Sequence, residues 1–418
     1  MSASAEVSQL ANGLRIASER LPHVASVSVG VWVPVGSRHE LAAEAGAAHF
    51  LEHLLFKGTP RWSARDIAIA FDRVGGEVNA FTTKEYTVYY ARVLSRDLDL
   101  ALDVLCDILT EPAFRPEEID AERHVILEEI AMNADEPSDV VHEAFAEAVF
   151  PGHELGREIL GTPETVEAMD RDAIGDFFSG TYSLRDAVVA AAGDVDHDDL
   201  VARISARWGA ELPEARRGPL VSRAPAEGPR ERVIVSRPTE QAHIVMGSRG
   251  ITTTDDDRYA LGLLDTILGG GMSSRLWQSI REERGLAYSV YSYRSSYSDA
   301  GAFGVYAGTA PGRAQQVVSL IAEAIDLACN VDPSADELAI AKGHIRGAVQ
   351  LALEDPTSRM NRLGKQLTSF GEITTVEEML DRTDEVSPAD VTRVAQRVFG
   401  AGRTLAVVGP KAVGSVVW

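Results

Sequence analysis

The sequence predicts an α+β protein: two homologous α/β domains, each a mostly antiparallel sheet packed against helices, related by an internal repeat. Three observations predict it. The chain has 418 residues, more than the roughly 100–200 of a typical domain. Near its midpoint, AELPEARRGPLVSRAPAEGPRE (210–231) is rich in Pro, Ala, Arg and Glu and has neither helix nor strand periodicity, as a linker does. The second half then repeats the first at an offset of 219 (118 to 337): Glu118-Ile119 aligns with Glu337-Leu338, Arg123 with Lys342, and Glu136-Pro137 with Asp355-Pro356. Repetition of this kind points to two copies of one design. The expected division is an N-terminal domain 1–212, a linker 213–230 and a C-terminal domain 231–418.

The elements follow in order. ASVSVGVWVPVGS (25–37) is rich in β-branched valine and reads as a strand. An Ala/Leu/His/Glu helix is expected over 42–56 and a second over 63–74, after which GGEVNAF (75–81) breaks the pattern. YTVYYARVL (86–94) is a strand, and 98–109 and 116–134 are amphipathic helices. Pro116 suits a first helical turn, with Glu117 and Glu118 behind it at the positive helix end. AVVAAAG (187–193) reads as a buried strand. In the second half, 231–251 resembles the opening strands, 259–268 stands where the first helix stood, and GAFGVYAGT (301–309) echoes YTVYYARVL.

Composition removes several function classes. With 45% hydrophobic and 25% charged residues, disorder, collagen and a disulfide scaffold are excluded. The 63 acids against 40 bases give a net charge of −23. Such a surface repels phosphates, so neither nucleic acid nor an anionic membrane is an expected partner, whereas basic peptides and metal ions are. Cys106 and Cys329, the two cysteines, lie in apolar helical runs and are expected to be buried, inert thiols of a reducing compartment. MSASAEVSQL has no signal-peptide pattern, and no stretch reaches the roughly 18 apolar residues of a membrane span, so a cytoplasmic protein is expected.

The chemistry lies in the first half. In AAHFLEHLLFKGTP, His49 and His53 are four apart, one helical turn on one face, where two imidazoles can reach one Zn²⁺. Glu52 shares that face and can take a proton from water without ligating the metal. The order His-x-x-Glu-His is the inverzincin motif, although such pairs are also common on solvated helix faces. A third ligand is needed, and helix 116–134 offers Glu122 and Glu129, seven apart on one stripe; Ile119, Ile126 and Ile130, on the opposite stripe, are expected to face the core. The repeat copy has Ala341 and Ala348 at the two acidic positions, so the fold itself does not require the acids. A solvated acidic stripe is the alternative. In the second half, GGGMSSRLWQSIREERGLAYSVYSY (269–293) lacks a Walker lysine and any G-x-G-x-x-G, so it is not read as a phosphate cradle.

HFLEHLLFKGT (49–59), GGEVNAFTTKEYTVYY (75–90), ERHVILEEI (122–130) and HELGREILGTPETV (153–166) together resemble the pitrilysin-type inverzincin zinc peptidases, most nearly the β-subunit of mitochondrial processing peptidase and its single-unit bacterial relatives. A proline usual after the histidine is Glu154 here. The resemblance implies one Zn²⁺ per chain on His49, His53 and the distal glutamate. The family's step of 76 from His53 (129 − 53) places that ligand at Glu129 and not at Glu128. It further implies Glu52 as general base and Glu122 as the acid that orients a ligating histidine. The glycine run becomes a flexible segment followed by a substrate-binding pair seven apart, Arg281 and Tyr288, with Tyr288 also stabilising an oxyanion. Asn79, Ala80 and Phe81 match the strand edge that holds an extended peptide. The implied function is zinc-dependent endopeptidase action on extended peptides or unfolded, presequence-like segments, basic ones preferred. The implied assembly is a homodimer whose active sites are shared between chains. The competing class is a non-catalytic or weakly active scaffold subunit of a processing-peptidase-like heterodimer, which would not need an intact metal motif. A metal-storage protein would not need Glu52.

Overall fold

The computed structural model describes residues 5–209, 212, 215–217, 225 and 227–418. The first half runs β1 (Glu6–Gln9), β2 (Arg15–Arg20), β3 (Ser26–Val33), α1 (Ala47–Leu55), α2 (Ala64–Val74), β4 (Glu77–Thr82), β5 (Thr87–Leu94), α3 (Leu98–Thr110), α4 (Pro116–Asp135), α5 (Pro137–Val149), α6 (Pro163–Ala168), α7 (Arg171–Thr181), β6 (Val188–Gly193) and α8 (His197–Trp208). The second runs β7 (Arg232–Ser236), β8 (Ala242–Arg249), α9 (Arg258–Leu268), β9 (Ala287–Ser296), β10 (Gly301–Thr309), α10 (Ala314–Asn330), α11 (Ala335–Ala352), α12 (Pro356–Phe370), α13 (Val376–Glu385), α14 (Pro388–Phe399) and β11 (Thr404–Gly409).

The internal repeat is visible strand for strand. One sheet is ordered β1-β2-β6-β3-β5-β4 and the other β7-β11-β8-β10-β9. In each, one pair is parallel (β2 with β6, β7 with β11) and every other pairing is antiparallel. Omitting β1, the orders correspond position by position. Inner strands β6 and β10 are buried at every residue, the pattern of a sheet covered on two sides.

What covers the second face departs from the expected domain division. The described residues fall into one compact unit drawn from Met1–Ile130, Glu158–Val221 and Gln350–Ile373, and another drawn from Ala131–Arg157, Ser222–Val349 and Thr374–Trp418. Each half of the chain therefore gives one helix to the other half's sheet. In the first unit, Met360, Leu363 and Leu367 of α12 bury against Trp32, Val88, Val188 and Ala190. Buried Glu19 on β2 forms an ion pair with Arg359 of the same helix. In the second unit, Val141, Phe145 and Val149 of α5 bury against Val245, Tyr306, Ala406 and Val408. The boundaries 1–212 and 231–418 must be corrected accordingly. Helical periodicity specifies that α5 and α12 bury a face, not which sheet receives it. The linker expected over 213–230 lies largely outside the described residues.

Three further expectations are adjusted. The helix expected over 42–56 starts only at Ala47, after Gly46 with φ 94. Most of the pattern-breaking segment 75–81 lies in edge strand β4 (Glu77–Thr82). Cys106 is buried, but Cys329, near the end of α10, is only partly so. No helix among the described residues is long and apolar enough to cross a membrane.

Candidate functional site

The first unit builds its site on α1, α4 and β4. The start of α1 is fixed by buried Glu40, whose carboxylate accepts the N–H groups of Gly46 (3.0 Å) and Ala48 (2.8 Å). An acid at the positive end of a helix satisfies donors that have no partner within it. One turn on, His49 and His53 stand with ring centroids 4.7 Å apart.

Glu129 of α4 meets them. Its Oε2 lies 3.6 Å from His49 Nε2 and 3.7 Å from His53 Nε2. One ligand atom from each of the three residues can be chosen so that all lie within 4.8 Å of one another. These separations are too long for hydrogen bonds. The two histidine–glutamate separations are close to the roughly 3.3–3.6 Å between two ligands that each sit about 2.0–2.2 Å from one tetrahedral ion. Burial, with His53 adding to it, pushes His49 down to about 4, so its imidazole is neutral and offers a lone pair. A ring nitrogen from each of two histidines and one carboxylate form a zinc donor set. Glu128, the adjacent acid, is exposed.

Around this trio the remaining first-half residues converge. Glu122 is buried, and its Oε2 accepts from His53 Nδ1 at 3.0 Å. With Nδ1 engaged there, Nε2 is the ring nitrogen that faces Glu129. The acidic stripe is therefore not opposite the isoleucines. Glu122 lies four residues, about 40° of helix, from Ile126, and both are buried with Ile119. Glu52 is raised above the ordinary carboxylate range by burial, opposed by hydrogen bonds from the Thr82 side chain and backbone and by nearby His53. A cleft of about 220 Å³ opens beside it, lined by Glu52, His53, Phe56, Lys57, Asn79, Ala80 and Glu122. β4 is the last strand of its sheet, so Asn79, Ala80 and Phe81 lie on an edge, with Asn79 exposed and Ala80 buried.

Arg281 and Tyr288 are brought together in the second unit. Residues Trp277–Glu282 form a π-helical turn, a local widening frequent at functional sites. The Arg281 guanidinium lies 3.9 Å from the Trp277 ring centroid and 4.6 Å from that of Tyr288, a cation between two aromatic faces. Strand β9 shifts register between Ser289, opposite Gly308, and Ala287, opposite Thr309. Tyr288 is the extra residue of that bulge and is 79% exposed; bulges re-aim side chains in this way. The cleft beside it, about 310 Å³, is lined by Gly269, Gly270, Gly271, Arg281 and Tyr288 among others.

Comparison with known proteins assigns the family. Residues 15–163 match the model described as insulinase (peptidase family M16), and 168–344 match the one described as peptidase M16 inactive domain. The chain belongs to peptidase family M16. Within the family it is 48% identical over 406 residues to a Streptomyces coelicolor protein named an uncharacterized zinc protease, covering 96% of this chain and 88% of that one. It is 39% identical over 399 residues to the Bacillus subtilis zinc protease YmxG, covering 96% and 97%. Among solved structures it shares the fold of a protease from Helicobacter pylori, with TM-score 0.91 at 22% identity over 98% of this chain and 100% of that one. The His49, His53 and Glu129 cluster lies inside the first M16 segment. Ala341 of the repeat copy lies inside the second.

Four residues around these sites were not singled out by the sequence reading: Glu40, Lys57, Thr82 and Trp277. Lys57 follows His53 by four and Trp277 precedes Arg281 by four, so helical spacing carried a signal for both. Glu40 reaches its partners across a loop and Thr82 reaches Glu52 across elements, and neither leaves a local pattern.

Proposed function

We propose that this M16 protein is a zinc-dependent endopeptidase acting on extended or unfolded peptides. The observation that carries the reading is the convergence of His49, His53 and Glu129 on one point, with Glu52 beside them and Glu122 behind His53. His49, His53 and Glu129 would hold the metal; when bound, zinc supplies Lewis acidity that polarises a carbonyl and acidifies water. Glu52 takes a proton from the attacking water onto its carboxylate and returns it to the leaving amine. Its raised affinity for a proton suits both halves of that exchange. Glu122 holds the His53 ring in orientation. The β4 edge pairs with the substrate backbone, a mode that makes little demand on sequence. Arg281 binds a peptide carbonyl and the Tyr288 hydroxyl donates to the developing oxyanion. In this reading they act across a homodimer, each chain completing the site of its partner. Helix α4 carries seven acids against one arginine, which with the net charge of −23 favours basic substrates.

The test is Glu52→Gln, assayed with matched basic and acidic peptides at low and high salt. Zinc content should stay at the wild-type level while turnover falls at least about a thousandfold, within the range a general base supplies. The wild type should favour the basic peptide at low salt, with the gap narrowing as screening shortens to about 8 Å or less. Full turnover by the variant would remove Glu52 from the mechanism. Equal kcat/KM for the two peptides at low salt would remove the substrate preference.

A further inference from the structure

We propose that Lys57 is a positioning residue for the metal ligand His53, acting through Glu122; the proposal rests on the metal-centre reading above. Glu122 is 6% exposed, so solvent does not satisfy its carboxylate. Both oxygens have partners in the protein: Oε2 accepts from His53 Nδ1 at 3.0 Å, and Oε1 accepts from Lys57 Nζ at 2.5 Å. The terminal torsion of glutamate is broad. A carboxylate held at one oxygen can swing, and the imidazole bonded to it swings too. Lys57 pins the second oxygen, so the carboxylate plane, and with it the His53 ring, has one orientation.

The lysine is itself fixed relative to the helix that carries Glu122. It sits on the turn leaving α1, where its N–H donates to Leu54 O at 3.0 Å. Arg115, the residue before α4, donates from Nη1 to Lys57 O at 3.2 Å and from Nη2 to Thr59 O at 3.0 Å. Gly58 between them has φ 122, and a Cβ there would meet Arg115 Nη1 at 2.6 Å. Only glycine allows both that backbone angle and that approach. The ends of the Lys57–Glu122 contact are thus tied together through the backbone as well as through the ion pair. The exposed third of the Lys57 side chain lines the cleft, so direct contact with substrate is the competing role.

Lys57→Met and Lys57→Arg, each alone and combined with Glu122→Gln, separate the two. The readouts are zinc affinity, by chelator competition with zinc alone, and steady-state kinetics on one peptide. Lys57→Met should weaken zinc binding about tenfold, at the low end for outer partners of a ligand. It should lower kcat with KM within about twofold. Lys57→Arg should recover most of the loss. In the Glu122→Gln background, Lys57→Met should add nothing, because the group it works through is gone. If Lys57→Met fails to fold, Lys57→Gln is measured and judged by the same criteria. Unchanged zinc affinity with a raised KM would make Lys57 a substrate contact and overturn the proposal. So would an undiminished effect in the Glu122→Gln background. Failure of the wild type to bind zinc would instead overturn the metal-centre reading, before any Lys57 variant is compared.

Discussion

Glu128 and Glu129 are successive on α4 and about 100° apart around it, so only one can face the two histidines. Glu129 does, and Glu128 is exposed. Glu129→Gln should therefore weaken zinc binding by more than about a hundredfold, beyond the 10- to 100-fold typical of an outer partner. Glu128→Gln should change it less than about twofold. Chelator competition on both variants decides the register; the reverse result would shift the ligand by one residue. At this scale the sequence was most informative where chemistry and helical spacing coincide. His49, Glu52 and His53 share a face because 3.6 residues make a turn, so their spacing could be read as geometry. Glu122 is 69 positions from His53, and no periodicity links two helices. Its role came from resemblance and from its alanine counterpart in the repeat, and contact with His53 became visible only in three dimensions.

The exchanged helices make predictions at the scale of elements. On α12, a Cβ added at Gly364 would meet the Trp32 ring at 2.3–2.4 Å, and Trp32 is fully buried. Gly364→Ala should destabilise by about 1–3 kcal/mol, the range of overpacking. Gly347 on α11 has nothing within 4 Å of the same atom. Gly347→Ala should stabilise by about 0.8–1 kcal/mol through helix propensity alone. Urea unfolding should thus show opposite signs for the same substitution on two helices; a neutral Gly364→Ala would mean that α12 does not seat tightly on the first sheet. The start of α11 adds a pH dependence. The Arg275 hydrogen bond, assisted by the Ser334 N–H and opposed by burial, pulls Glu337 down to about 2 from its ordinary 4.5. A depressed acid stabilises the fold above its unfolded value and loses that contribution as pH falls towards the folded one. The gap in unfolding midpoint between wild type and Glu337→Gln should stay constant above pH 5 and close between about 4.5 and 2. A gap independent of pH would mean that the ion pair contributes nothing. The strands and most helices of both halves were legible because their apolar periods are local. The exchange of α5 and α12 was not, since the two helices are equivalent under the repeat.

At the scale of the whole molecule, the first unit carries the candidate metal ligands and the second carries Arg281 and Tyr288. The repeat copy has alanine at 341 and 348 and carries this pair, so the two halves differ in chemistry while sharing one topology. Tyr288 is exposed at a β-bulge beside a stacked arginine, free to meet substrate. In the proposed homodimer that substrate would be held at the candidate metal site of the partner chain, across a two-fold axis. Complementation tests this directly. Glu52→Gln and Tyr288→Phe should each be nearly inactive alone. Unfolded and refolded together in equal amounts, they should pair at random, so half of the dimers are mixed. In each mixed dimer one site collects both substitutions, and the other combines an intact Glu52 from one chain with an intact Tyr288 from its partner. One site in four is then complete, and about one quarter of wild-type activity should return. If subunit exchange is demonstrated by mass and no activity returns, each site is built within one chain. If sedimentation of an active preparation shows only monomer, the shared-site assembly is wrong, whereas the proposed metal centre, whose residues lie within the first unit, would stand.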